Sequence, residues 1–120
     1  MKPKIDKTNF GSITIAGEKY SHDVLIRLSG KVEKRKKKLS KEIFGTSHII
    51  SLAEADYVYE EGASWIIIGT GQLGKAKLSD EAAEFFKQKN CQIIALTTPE
   101  AIQYWNQAKG SVIGLFHVTC

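Results

Sequence analysis

The sequence predicts an α/β domain, an open sheet with helices on its faces, and three observations predict it. Two apolar runs, Trp65-Ile66-Ile67-Ile68 and Gln92-Ile93-Ile94-Ala95-Leu96, have the length and composition of strands covered on both sides. Stretches of helical period with capping residues alternate with them, so that residues 51–120 read helix, strand, helix, strand, helix, strand. The first third differs: apolar and polar residues alternate there between glycine turns, the texture of antiparallel hairpins.

In chain order, residues 10–15 alternate, and Ala16-Gly17-Glu18-Lys19 returns the chain into residues 20–28 to form a hairpin. Ser29-Gly30 turns it again, and residues 31–35 read as a third short strand with a charged outer face. Residues 36–47 have no clear period and run into Gly45-Thr46-Ser47-His48, the composition of an exposed loop. Beyond Ile49-Ile50, Ser51-Leu52-Ala53-Glu54 is a capping box. The Ser51 hydroxyl should accept from the Glu54 amide while the Glu54 carboxylate reaches back, opening a helix over 52–61 that Gly62 closes.

A strand over 64–68 leads into Gly69-Thr70-Gly71-Gln72-Leu73-Gly74, where three glycines let the backbone approach something closely. Ser79 then caps a second helix with Asp80 and Glu81 in its first turn, where the helix dipole favours acids. Ala82, Phe85, Phe86 and the stem of Lys89 share one side of it, and it ends near Asn90. Residues 92–96 are expected as a second interior strand. Thr97-Thr98-Pro99-Glu100 opens a third helix with a hydroxyl cap and an early proline. Its buried stripe is Ala101, Ile102, Trp105 and Ala108, Gly110 ends it, and residues 112–120 form the last strand.

With 120 residues, 42% hydrophobic and 25% charged, the chain can bury a core without staples. It is expected to form a single domain over 1–120, β-rich over about 10–36 and alternating over about 51–120. No apolar run approaches the ~20 residues of a spanning helix and the N-terminus lacks the apolar stretch of a secretory signal, so the expected compartment is cytoplasmic. Cys91 and Cys120 have neither zinc-knuckle nor Cys-x-x-Cys spacing, which suits thiols of a reducing compartment. The net charge of +4 is local: residues 31–41 hold seven basic residues and one acid, leaving −2 for the rest. That run contains no aromatic side chain to stack a base, so nucleic acid is not the expected partner. Arg35 and Lys41 are its candidates for contacting an anion or a protein partner.

The six residues from Gly69 spell Gly-x-Gly-x-x-Gly behind a strand, the dinucleotide pattern, yet two requirements are missing. The glycines should open the helix, whereas Lys75-Ala76-Lys77-Leu78 precede the cap, and no acid stands about 20 residues on. A smaller anion or a carbonyl held by loop amides at the strand's carboxyl end fits better, beside a purely steric role for the glycines. The candidate ligand-binding residues are Gly69, Thr70, Gly71, Gln72, Thr97, Thr98 and His48. Gly71→Val is expected to weaken ligand binding and leave the core largely intact if amides are presented there, and to prevent folding if the glycine is structural. No catalytic residue is assigned: His117 and Cys120 lie three apart on a strand and face opposite ways, and His117 and Thr119 share a face without a readable triad. No metal cluster and no cofactor emerge.

The hairpin Phe10-Gly11-Ser12-Ile13 with Gly17, Tyr20 and Asp23-Val24, then Arg35, Gly45-Thr46-Ser47-His48, Ile68-Gly69-Thr70-Gly71, Thr98-Pro99-Glu100-Ala101, Tyr104, Asn106 and His117-Val118-Thr119-Cys120, carry a further signal. Over nearly the whole chain they resemble the family of adipogenesis-associated and mitochondrial complex I assembly factor 3 proteins, its archaeal members most closely. The resemblance implies a three-layer α/β domain with a central mixed sheet and an additional N-terminal β-hairpin. It implies no catalytic residues, and it implies roles of the protein-interaction kind.

The expected function is therefore a non-enzymatic binding or assembly-factor-like role, with a small-ligand or anion site at Gly69-Thr70-Gly71, in a monomer or homodimer. The alternative is an enzyme of unassigned reaction using the same pocket, with His48, His117 or Cys120 as the reactive group. Two titratable groups within hydrogen-bond reach there favour the enzyme, and amides and hydroxyls alone favour binding.

Overall fold

The computed structural model describes residues 2–120. Its strands are β1 (Ile5–Asn9), β2 (Ser12–Ile15), β3 (Glu18–Tyr20), β4 (Val24–Ile26), β5 (Val32–Lys34), β6 (Ile49–Ile50), β7 (Trp65–Thr70), β8 (Lys77–Leu78), β9 (Gln92–Leu96) and β10 (Val112–His117). The helices are α1 (Lys38–Phe44), α2 (Leu52–Val58), α3 (Asp80–Gln88) and α4 (Thr98–Gln107). A five-stranded mixed sheet in the order β5-β4-β10-β7-β9 forms the centre, with β7, β9 and β10 parallel and β4 and β5 antiparallel. Parallel neighbours need crossovers, which α3 and α4 supply. An antiparallel sheet β1-β2-β3 and a two-stranded parallel pair β6-β8 complete the architecture. No helix among the described residues is long and apolar enough to cross a membrane.

Both faces of the sheet are covered at its middle strands β4, β10 and β7, which is why these read as apolar runs, whereas the edge strands β5 and β9 hold no buried residue. On one face Ile67 and Phe116 pack with Trp105 and Ala101 of α4 and with Ile5, Ile13 and Ile15 of the antiparallel sheet. On the other, Ile66, Ile68, Ile113 and Leu115 meet Ala55 and Val58 of α2 and Ala82 and Phe86 of α3. The three layers follow directly. Every residue of β10 is buried.

Several elements differ from expectation. Residues 20–28 are two strands in two sheets, broken at Ser21-His22, and β1 carries a single buried residue, too few to show a period. Residues 36–47 contain α1, whose only buried side chain is Ser40, so it has no apolar stripe to read. Gly45, at φ +71, ends it and donates its amide to the Lys41 carbonyl. Helix α2 stops at Val58 because Tyr59 is extended, short of Gly62. Strand β7 runs on to Thr70, placing Gly69 inside the sheet. Strand β9 is not interior but lies at the sheet's edge, paired with β7 alone. Its apolar residues are partly covered, Ile93 on the α3 face and Ile94 and Leu96 on the α4 face, and no residue of the strand is fully buried.

The cap of α3 is as read: Ser79 Oγ accepts from the Ala82 amide at 3.1 Å. Ser79→Ala should lower stability by about 1 kcal/mol, seen in urea unfolding as a reduced midpoint at constant slope.

Candidate functional site

The carboxyl end of β10 and the residues after it, His117-Val118-Thr119-Cys120, form a spine between two groups of residues. On one side lies the turn after β7. Gly71 has φ +105, and a Cβ there would stand 2.3 Å from the Cys120 carbonyl carbon and 2.8 Å from His117 Cδ2. The Gly71 amide donates to Thr98 Oγ1 at 2.9 Å, and Thr98 Oγ1 donates onward to the His117 carbonyl at 2.6 Å. The Gln72 amide donates to the Thr119 carbonyl, and the Leu73 and Lys75 amides both donate to the main-chain oxygen of Cys120. These loop amides are thus bonded to the chain's own residues 119 and 120.

On the other side is a buried polar network. Asp23, just before β4, accepts at Oδ1 from the Val118 amide (2.9 Å) and at Oδ2 from His117 Nδ1 (2.7 Å) and Arg35 Nη1 (2.9 Å). Arg35 turns its other edge to Glu54, with Nε and Nη2 donating to the two carboxylate oxygens at 2.6 and 2.9 Å, and Nη2 also reaches the Ser47 carbonyl. Such a fork fixes both planes. Asp23, Arg35, Glu54 and His117 are each at most 4% exposed.

Burial alone would raise the Asp23 carboxyl. Hydrogen bonds from His117 and Val118, with the charges of His117 and Arg35, overcome it and hold the group at about 2. Burial likewise disfavours the Arg35 charge, yet the carboxylates of Glu54 and Asp23 leave its pKa raised.

The network also revises the capping box. Ser51 Oγ accepts from the Glu54 amide as expected, but the Glu54 carboxylate is engaged by Arg35 and Ser40 and does not reach back. Ser40 Oγ takes over the Ser51 amide instead.

Over Asp23 and Arg35 opens a cavity of about 660 Å³, between the β3–β4 link and the start of α1. Lys34, Lys36, Lys37 and Lys38 stand around it and Thr119 lines its wall. Lys37 Nζ comes within 3.8 Å of Asp23 Oδ2. A larger depression of about 790 Å³ follows α3 and the free edge of β9, but its charges, Asp80, Glu84 and Lys87, are of both signs and exposed.

Of the sequence candidates, Gly71, Thr98 and His48 gather at the end of β10, with the His48 ring edge-on to His117 at 5.3 Å. Arg35 sits in the network. Gly69 and Thr70 belong to β7, where Thr70 Oγ1 donates to the Leu96 carbonyl. Gln72 Nε2 donates to Thr8 Oγ1. Thr97 donates its hydroxyl to Glu100 in place of capping α4, and Lys41 is exposed on α1 outside the cavity wall. Sequence reasoning missed Asp23 and Glu54 as site residues. The shared face of His117 and Thr119 was visible; their partner from residue 23 was not. Cys91 and Cys120 are free thiols, and burial pushes Cys91 up to about 11, away from nucleophilic use.

Comparison with known proteins adds the following. The profile of a family described as protein of unknown function (DUF498/DUF598) matches residues 5–115. The crystal structure of the conserved hypothetical protein PH1505 from Pyrococcus horikoshii OT3 is similar at a TM-score of 0.91 and 31% identity, over 98% of this chain and 99% of that one. A protein solved as MT938 gives 0.85 and 30%, over 99% and 100%. A Mth938-like domain from Bordetella pertussis, solved in solution, gives 0.61 and 15%, over 97% and 85%, and shares the fold.

Proposed function

This chain belongs to the DUF498/DUF598 family of proteins of unknown function, and we propose that it binds a small anionic ligand in the lysine-rimmed cavity above Asp23 and Arg35. The observation that carries the reading is charge placement. Arg35 is engaged by its two buried carboxylates, while among the described residues Lys34 and Lys38 form no ion pair, Lys37 has only the long contact to Asp23, and the Lys36 ammonium lies over the Tyr57 ring at 4.6 Å. Lysines along one wall give the opening a positive potential that favours an anion, and the cavity has the volume of a metabolite site. The anion sits on the Asp23 side of β10, away from the amides of residues 71–75, which already have partners.

Calorimetric titration with inorganic phosphate at low salt tests this. The double variant Lys34→Glu/Lys37→Glu should bind at least about tenfold more weakly, and added salt should weaken the wild type. Equal affinity in the two proteins overturns the reading.

A protein-partner role of the assembly-factor kind is favoured by one other observation. Ile43, Phe44 and Leu52 are 57%, 37% and 43% exposed around a shared hollow with Phe85, an apolar patch of the sort that partners cover. A native mass spectrum separates the two readings: a retained small anion supports the first, and a homodimer that Ile43→Glu dissolves supports the second.

A further inference from the structure

We propose that Asp23, His117 and Thr119 form a nucleophile array on the wall of the basic cavity, acting on acyl groups activated by a phosphate leaving group. The proposal rests on the anion reading above, since the lysines hold the phosphate. Asp23 Oδ2 lies 2.7 Å from His117 Nδ1, and His117 Nε2 lies 3.2 Å from Thr119 Oγ1. An ionised carboxylate only accepts, so Nδ1 carries a proton, and in the form of the ring that holds this proton alone Nε2 presents a lone pair. The Thr119 hydroxyl is then the donor, with its oxygen made more nucleophilic.

Burial assigns the roles further. Asp23 is 1% and His117 3% exposed, whereas Thr119 is half-buried and lines the cavity, so the hydroxyl is the member of the array that meets a ligand. Asp23 is held by Arg35 and the Val118 amide, and Arg35 is clamped by Glu54, which fixes the imidazole as a base must be fixed. Lys37 lines the same cavity, its ammonium 3.8 Å from Asp23 Oδ2, and supplies a cation for the phosphate of a bound acyl phosphate.

In the first step Thr119 Oγ bonds to the acyl carbon and its proton passes to His117 Nε2. The bond from that carbon to the phosphate oxygen breaks, and His117 returns the proton to the phosphate as it leaves. Water then attacks the threonyl ester with His117 again taking the proton, the acyl–Oγ bond breaks, and the proton goes back to Oγ as the carboxylic acid departs.

Acetyl phosphate is the probe. Phosphate release by the wild type should exceed the buffer rate at least about a hundredfold, with an acetyl group located on Thr119 by peptide mass spectrometry. Thr119→Val should abolish both signals, Thr119→Ser should retain release within about tenfold, and His117→Gln should behave as Thr119→Val does. Undiminished release by Thr119→Val overturns the proposal. Phosphate binding by a wild type that leaves acetyl phosphate intact overturns the array and leaves the anion site standing. A wild type that neither binds phosphate nor releases it from the probe overturns both.

Discussion

Arg35→Ala is expected to lower stability by about 3–5 kcal/mol, the loss typical of breaking a buried ion pair from one side. Two carboxylates, Asp23 and Glu54, would remain in a protein interior at 1% exposure each without the guanidinium that bridges them. Against a total stability of about 5–15 kcal/mol for a domain, this leaves a marginal fold, read as a large fall in the urea midpoint. Arg35→Lys should recover little, because one ammonium cannot serve Glu54 through two donors, Asp23 and the Ser47 carbonyl together.

The same network sets the acid limit. Asp23 is held at about 2 against an ordinary 3.8, so its folded-state pKa is depressed. Its contribution is fully present above about pH 4 and is lost as pH falls through about 2, an effect of about 2 kcal/mol. Acid unfolding of Asp23→Asn should lack that limb, and an unchanged acid profile would contradict it.

Gly71→Val is expected to cost about 3 kcal/mol or more and to unseat residues 117–120. Two penalties add: a β-branched residue at φ +105, and a Cβ at 2.3 and 2.6 Å from the carbonyl carbon and oxygen of Cys120, backbone that has no room to yield. Of the two outcomes the sequence left open for this substitution, the geometry favours the one in which the glycine is structural. Gly74→Ala is the control. Its φ is +70 and its nearest neighbour is a Thr97 methyl at 3.4 Å, so only the backbone penalty of about 1–2 kcal/mol applies. A Gly71→Val protein with the wild-type urea midpoint would show that the turn relaxes freely.

What the sequence made legible depended on whether the physics was apolar and local. Trp65-Ile66-Ile67-Ile68 was readable because covering both faces leaves no polar position in the run, and the fold class followed. Residues 92–96 share that texture yet lie at an edge, since hydropathy reports covered faces and is blind to lateral neighbours. Helix α1 left no trace because its one buried side chain is a serine. The network was hidden for a different reason: its members come from residues 23, 35, 54 and 117, the Asp23–His117 bond spans 94 positions, and Arg35 sits in a run of lysines. Polar pairing has no period, so no window along the chain can show it.

The place of β10 in the sheet bears on how the chain reaches this structure. Its two ladders join residues 24–26 on one side to 65–70 on the other, so the last strand of the sheet to be synthesised fills the gap between the two halves. Until it arrives, β4 and β7 each expose an unpaired edge, and the side chains that meet over β10 have nothing to pack on. Folding is then expected to be all-or-none and slow for the chain's size, because most of the closing contacts are distant in sequence. A nascent chain that has not yet reached Val112 would hold two unfinished sheets, the state in which a chaperone has the most to do.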